Sequence, residues 1–148
     1  MLISLDDYWM GRNSRYRSEW TQDVRDNANT LLERVNRLMP FMRGVDFEPD
    51  PQGFGIVASG WRPPSYNATV PGAAIRSLHM TGQAIDLFDP DGDIDAWCWA
   101  HQDVLGRPDI DLYMEHPSAT KGWCHLQCLP PKSQRHLPLM ARRIWFYP

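Results

Sequence analysis

The chain has 148 residues and five histidines, and two of these sit in contexts that suit metal ligation. His79 lies in Ser77-Leu-His79-Met-Thr-Gly82-Gln-Ala84-Ile-Asp86. Gly82 lets the backbone turn, and Asp86 falls on the same face of a following strand as Ala84, whose small side chain leaves room beside the carboxylate. His125 lies in Trp123-Cys-His125-Leu-Gln. Strand alternation puts His125 and Trp123 on one face and Cys124 and Leu126 on the other. Two imidazoles and a carboxylate, with one position left to water, form a ligand set suited to catalytic zinc. Zinc in such a site brings the pKa of its water toward about 7 and polarises a carbonyl, which is what amide hydrolysis at neutral pH requires. Spacing alone does not separate this reading from that of hydrogen-bonded or surface histidines.

Other residues read as structure. Cys98, Cys124 and Cys128 are an odd count without a disulfide framework, so reduced thiols are expected. A Cys-Cys-His zinc set around His125 is opposed by the same alternation. Asp89-Pro-Asp-Gly-Asp93 resembles the start of a calcium loop, yet Ala100 stands where that loop needs its last glutamate, so a turn and a helix cap are expected. His101 and His136 read as surface or hydrogen-bonded residues. Trp97 and Trp99 place one indole toward the core and the other partly in solvent, where stacking on a sugar is the functional alternative.

The elements that must position these residues follow from pattern. Val24, Ala28, Leu31, Leu32, Val35, Leu38 and Met39 recur at helical spacing and stop at Pro40, predicting a helix over residues 21–39. A short helix is predicted over 5–9, followed by a solvated, Arg-rich loop over 11–18. Strands are predicted over 54–59, 84–88, 110–115 and 123–128, with an edge strand over 143–147. A helix over 94–104 has Asp93 or Asp95 available as its cap. Short connections favour antiparallel pairing, so the expected class is α+β: a small antiparallel sheet with helices on one side and the zinc site at the sheet. One domain over 1–148 is expected, with the metal-site core over about 54–128.

Composition excludes other classes. A net charge of −3 and a pI near 5.9 offer no general attraction for nucleic acid or anionic membranes, and Lys132, Arg135, Arg142 and Arg143 are too few for a nucleic-acid footprint. No apolar run approaches a membrane span, and the first residues do not read as a signal peptide, so a chain cytoplasmic as synthesised is expected.

The string S-x-H-x-x-G-x-A-x-D, followed later by W-x-H, resembles the zinc-binding signature of the D-alanyl-D-alanine carboxypeptidase-like peptidases. That group spans bacterial carboxypeptidases, phage L-alanyl-D-glutamate endolysins, vancomycin-resistance dipeptidases and the hedgehog signalling domain. The similarity extends upstream to Ser59-Gly-Trp-Arg62-Pro-Pro-Ser-Tyr-Asn67 and covers residues 56–127, about half of the chain. It implies that His79, Asp86 and His125 bind Zn2+, that Arg62 faces the substrate carbonyl or oxyanion, and that Trp123 lies at the substrate. Ser77 would hydrogen-bond a ligand or substrate carboxylate, or cap its loop. The endolysin and dipeptidase branches carry an acid three positions before the second ligand histidine, where this chain has Gly122. Glu115, preferred over its neighbour His116, is the expected general base, because paired strands joined by the 117–122 loop can bring it to the metal. The implied function is a zinc peptidase cutting D-amino-acid-containing peptidoglycan stem peptides. It would be a phage or prophage product, virion-associated or otherwise delivered to the cell wall. The alternative is a catalytically inactive phage structural or wall-binding module that keeps the fold.

Overall fold

The computed structural model describes residues 2–148. The helices are α1 (Leu5–Trp9), α2 (Arg12–Arg15), α3 (Gln22–Leu38), α4 (Pro64–Asn67), α5 (Asp93–Ala100) and α6 (Gln102–Leu105). The strands are β1 (Val57–Ser59), β2 (Ala84–Asp89), β3 (Tyr113–Glu115), β4 (Gly122–Gln127) and β5 (Trp145–Phe146). The class is α+β.

Helix α3 forms where the stripe predicts it. Thr21 caps it by accepting from the Val24 N–H at 3.3 Å, which satisfies one of the donors that a helix start leaves free. Val24, Ala28, Leu31, Leu32, Val35 and Leu38 are all buried, and Pro40 converts the last turn to a 3-10 turn because it brings no N–H. Each such leucine removed from water contributes about 2 kcal/mol. These side chains share one apolar cluster with Tyr8 and Trp9 of α1, Cys98 of α5, and Ile85, Leu87, Cys124 and Leu126 of the sheet.

The sheet order is β1-β2-β4-β3-β5. β2 and β4 form the long antiparallel pair in its middle, with Asp86 directly opposite His125 and Phe88 opposite Trp123. Since alternate residues point to opposite faces, the core takes Ile85, Leu87, Cys124 and Leu126 while Asp86 and His125 share the other face. On the far side of β4, β3 pairs antiparallel, with Tyr113 opposite Gln127 and Met114 opposite Leu126; that register puts Glu115 level with His125.

Two glycines allow the loops around this ribbon to close. A Cβ on Gly60 would lie 1.9 Å from the Tyr8 carbonyl oxygen, so only glycine lets β1 leave past α1; there the Trp61 N–H bonds the same oxygen. Gly82 adopts φ +79°, and a Cβ there would lie 2.7 Å from the Val24 carbonyl oxygen of α3.

Several expectations are corrected. The sheet is mixed, because β5 pairs parallel to β3; the chain returns from β4 through two 3-10 turns and reaches the free edge of β3 in its own direction. The segment over 11–18 is α2 followed by a 3-10 turn, because the Arg12 guanidinium donates to the Trp61 carbonyl and stacks 3.9 Å over Tyr66. The helix over 94–104 is two helices broken at His101, and neither Asp93 nor Asp95 caps it. Asp89 does so from outside, accepting from Ile94 N–H and Asp95 N–H at 2.9 Å each. β1 and β3 are shorter than predicted: the backbone turns over 54–56, and Asp111 takes φ +47°.

Candidate metal centre

His79, Asp86 and His125 converge. Each offers a ligand atom, and these atoms all lie within 4.8 Å of one another. His79 Nε2 is 3.3 Å from Asp86 Oδ2, and His125 Nδ1 is 2.8 Å from Asp86 Oδ1. The two imidazole centroids are 5.4 Å apart.

Hydrogen bonds decide which nitrogen of each ring is free. His79 Nδ1 is 2.8 Å from the Gly60 carbonyl oxygen, and a carbonyl only accepts, so the proton is on Nδ1 and the Nε2 lone pair faces Asp86. Gln127 donates its amide N–H to the Leu129 carbonyl at 2.6 Å, which turns its Oε1 toward His125 Nε2 at 2.9 Å. That ring therefore donates from Nε2 and aims the Nδ1 lone pair at Asp86. Two lone pairs thus face the two oxygens of one buried carboxylate, an arrangement that only a cation or an added proton between them stabilises. Bonds of about 2.0–2.2 Å to a tetrahedral metal place donors about 3.3–3.6 Å apart, which the His79–Asp86 separation of 3.3 Å meets, while His125 Nδ1, at 2.8 Å from Asp86 Oδ1, stands closer, as for a hydrogen bond in the absence of an ion. The donor set fits a divalent metal with nitrogen and oxygen ligands, held by side chains whose outer nitrogens are already tied down.

The electrostatics agree. With protons rather than a metal between the rings and the carboxylate, burial opposes ionisation of Asp86, but the charge of protonated His79 and the hydrogen bonds from both protonated imidazoles outweigh it and hold the carboxyl well below the usual range. For His125 burial favours the neutral ring, and the Asp86 bond and charge, with Glu115 behind them, reverse this and raise its pKa. Burial also raises Glu115, with His125 pulling it back and Asp86 pushing it further up.

Arg62, Ser77, Glu115 and Trp123 line one cavity of about 370 Å³ together with the three candidate ligands. Glu115 Oε1 stands 3.8 Å from His125 Nδ1. Arg62 donates to Ser77 Oγ at 3.3 Å, and its backbone N–H bonds the His79 carbonyl at 3.0 Å. No described carboxylate pairs with it, and its Nε is buried without a partner, so a cation waits beside the convergent imidazoles. Ser77 acts inside the loop, accepting from Arg62 and from the His79 N–H at 3.2 Å. His116 is turned away, its Nδ1 against Ser118 Oγ and its ring stacked on Tyr147. Gly122, at φ +100°, opens β4 with no acid in that position. Cys124 is buried on the core face, as the alternation requires.

Sequence reasoning missed Gln127 and the Gly60 carbonyl. Gln127 was findable, since it lies two residues beyond His125 on the same strand face. Gly60 was not, because its contact with His79 exists only once β1 and the metal loop meet. No family model, curated protein or solved structure matches the chain. Among the described residues, no helix is long and apolar enough to cross a membrane.

Proposed function

We propose that the protein is a zinc-dependent peptidase that hydrolyses amide bonds beside D-amino acids in bacterial peptidoglycan stem peptides. The observation that carries the hydrolase reading is one cavity holding two imidazole lone pairs, a carboxylate, a second carboxyl level with them and an unpaired guanidinium. The resemblance over residues 56–127 supplies the substrate class. A zinc ion held by His79, Asp86 and His125 would polarise the scissile carbonyl and acidify the attacking water.

The chain's own groups do the rest. Glu115, whose pKa burial raises from its ordinary value, takes a proton from water and returns it to the leaving amine. Arg62, held by Ser77 and the His79 carbonyl, faces the developing oxyanion, where a fixed positive charge stabilises the transition state more than the ground state. Trp123 provides an apolar wall for the peptide.

Gly122, in place of the acid found in two branches of the resembling group, favours a second reading, a wall-binding or phage structural module that retains the metal. The two separate in one experiment. Protein loaded with stoichiometric zinc releases free amine from purified peptidoglycan, and Glu115→Gln stops release while zinc stays bound. Bound zinc without amine release in the unmodified protein rejects the peptidase and leaves the module.

A further inference from the structure

A second cavity, of about 500 Å³, opens between the start of α5 and the 117–122 connection. Glu115 and Trp123 line the metal cavity, while their chain neighbours His116 and Gly122, which alternation turns to the other face of the sheet, line this one. Its wall is aromatic and braced. Trp99 is 38% exposed and meets His116 edge-on at 4.8 Å; His116 stacks on Tyr147 at 4.7 Å, and Trp145 packs against all three.

One turn before Trp99 on the same face of α5 is an under-bonded carboxyl. Asp95 lines the cavity and is only 3% exposed; Thr120 donates to its Oδ2, whereas Oδ1 is buried with no donor stronger than the neighbouring Cys124 thiol, a weak one. A buried acceptor left in this state favours a ligand that brings a donor. Burial raises the Asp95 pKa to about 6, partly offset by Thr120 and the Cys124 thiol, with Asp89 and Glu115 adding to the rise.

Charge narrows the class. An anionic ligand would meet Asp91 and Asp95, and a cationic one would meet Lys121 on the same wall. A neutral polyol with an apolar face meets neither opposition. We propose that this cavity is a saccharide subsite, in which a pyranose ring lies on the Trp99 indole and points a hydroxyl or amide N–H at Asp95. Its assignment to the glycan strand that carries the stem peptide rests on the peptidase reading; the saccharide chemistry does not.

The test is an NMR titration of the ¹⁵N-labelled full chain, following the indole N–H signals. One arm uses the β-1,4 tetramer of N-acetylglucosamine and the other uses cellotetraose. The expected result is a saturable shift of the Trp99 indole with the buried Trp61 indole unmoved, preference for the N-acetylated tetramer, and binding weakened roughly tenfold or more by Trp99→Ala. Equal binding of both sugars keeps the subsite and rejects the wall-glycan assignment. No saturable Trp99 shift with either sugar overturns the proposal, and so does binding that Trp99→Ala leaves unchanged. The wild-type indole shift decides even if that variant does not fold. Sugar binding without amine release leaves the subsite standing while the peptidase fails, and amine release without sugar binding does the reverse.

Discussion

Asp86 and Asp95 are both carboxyls removed from most solvent, and the protein drives them in opposite directions. Asp86 sits on the polar face of the β2–β4 ribbon between two imidazoles, which hold it ionised despite burial. Asp95 sits at the start of α5 beside neutral donors and the acids Asp89 and Glu115, so desolvation prevails and its pKa rises to about 6. Burial alone therefore says nothing about charge state here; the sign comes from whether the neighbours are bases or acids. The first carboxylate lies among groups that could hold a metal ion, and the second keeps one oxygen without a strong donor.

The largest test of this contrast is metal binding. Asp86→Asn abolishes stoichiometric zinc uptake measured by elemental analysis, whereas Asp95→Asn retains it; equal retention in both variants would remove the contrast. A smaller effect belongs to Gln127. Gln127→Leu frees His125 to take either tautomer and weakens zinc affinity by about 10–100-fold in a competitive chelator titration, without changing stoichiometry.

The smallest effect is on stability against pH. For Asp95 the folded pKa lies above the unfolded value of 3.8, so the folded state binds the extra proton and stability falls as pH rises from about 4 through about 6. Asp95→Asn removes that fall, and denaturant unfolding of the metal-free variant and parent should diverge most above pH 6. For Asp86, whose folded pKa is depressed, the sign is reversed: its contribution is present above 3.8 and is lost as pH falls through the lower folded value. A parent curve with the same slope across the interval as Asp95→Asn would show that Asp95 titrates normally.

Much of the frame was legible in the residues. The α3 stripe, the Thr21 start and the Pro40 stop all mark one helix, and β2 and β4 follow from alternation with Ile85 and Cys124 facing inward. The mixed pairing of β5 was not legible, because edge-strand direction depends on the route the 128–144 segment takes around the sheet. A turn and a helix cap were legible in Asp89–Asp93, but not which acid supplies the cap, nor the break at His101, since each competes locally with an equally good helical alternative. Arg12 reads as a solvated residue until Trp61 and Tyr66 come beside it.

The division in the site is of the same kind. The identity of His79, Asp86 and His125 and the faces they occupy are written in residue types and a period of two, which are local quantities. Their convergence is not: it needs β2 and β4 in one register, Gly60 and Gly82 yielding space to Tyr8 and Val24, and a carbonyl and an amide from elsewhere choosing the free nitrogen of each ring. Lone-pair direction and charge state depend on neighbours distant in the chain, so they come into being only when the packed molecule excludes water and leaves each buried polar group a single partner.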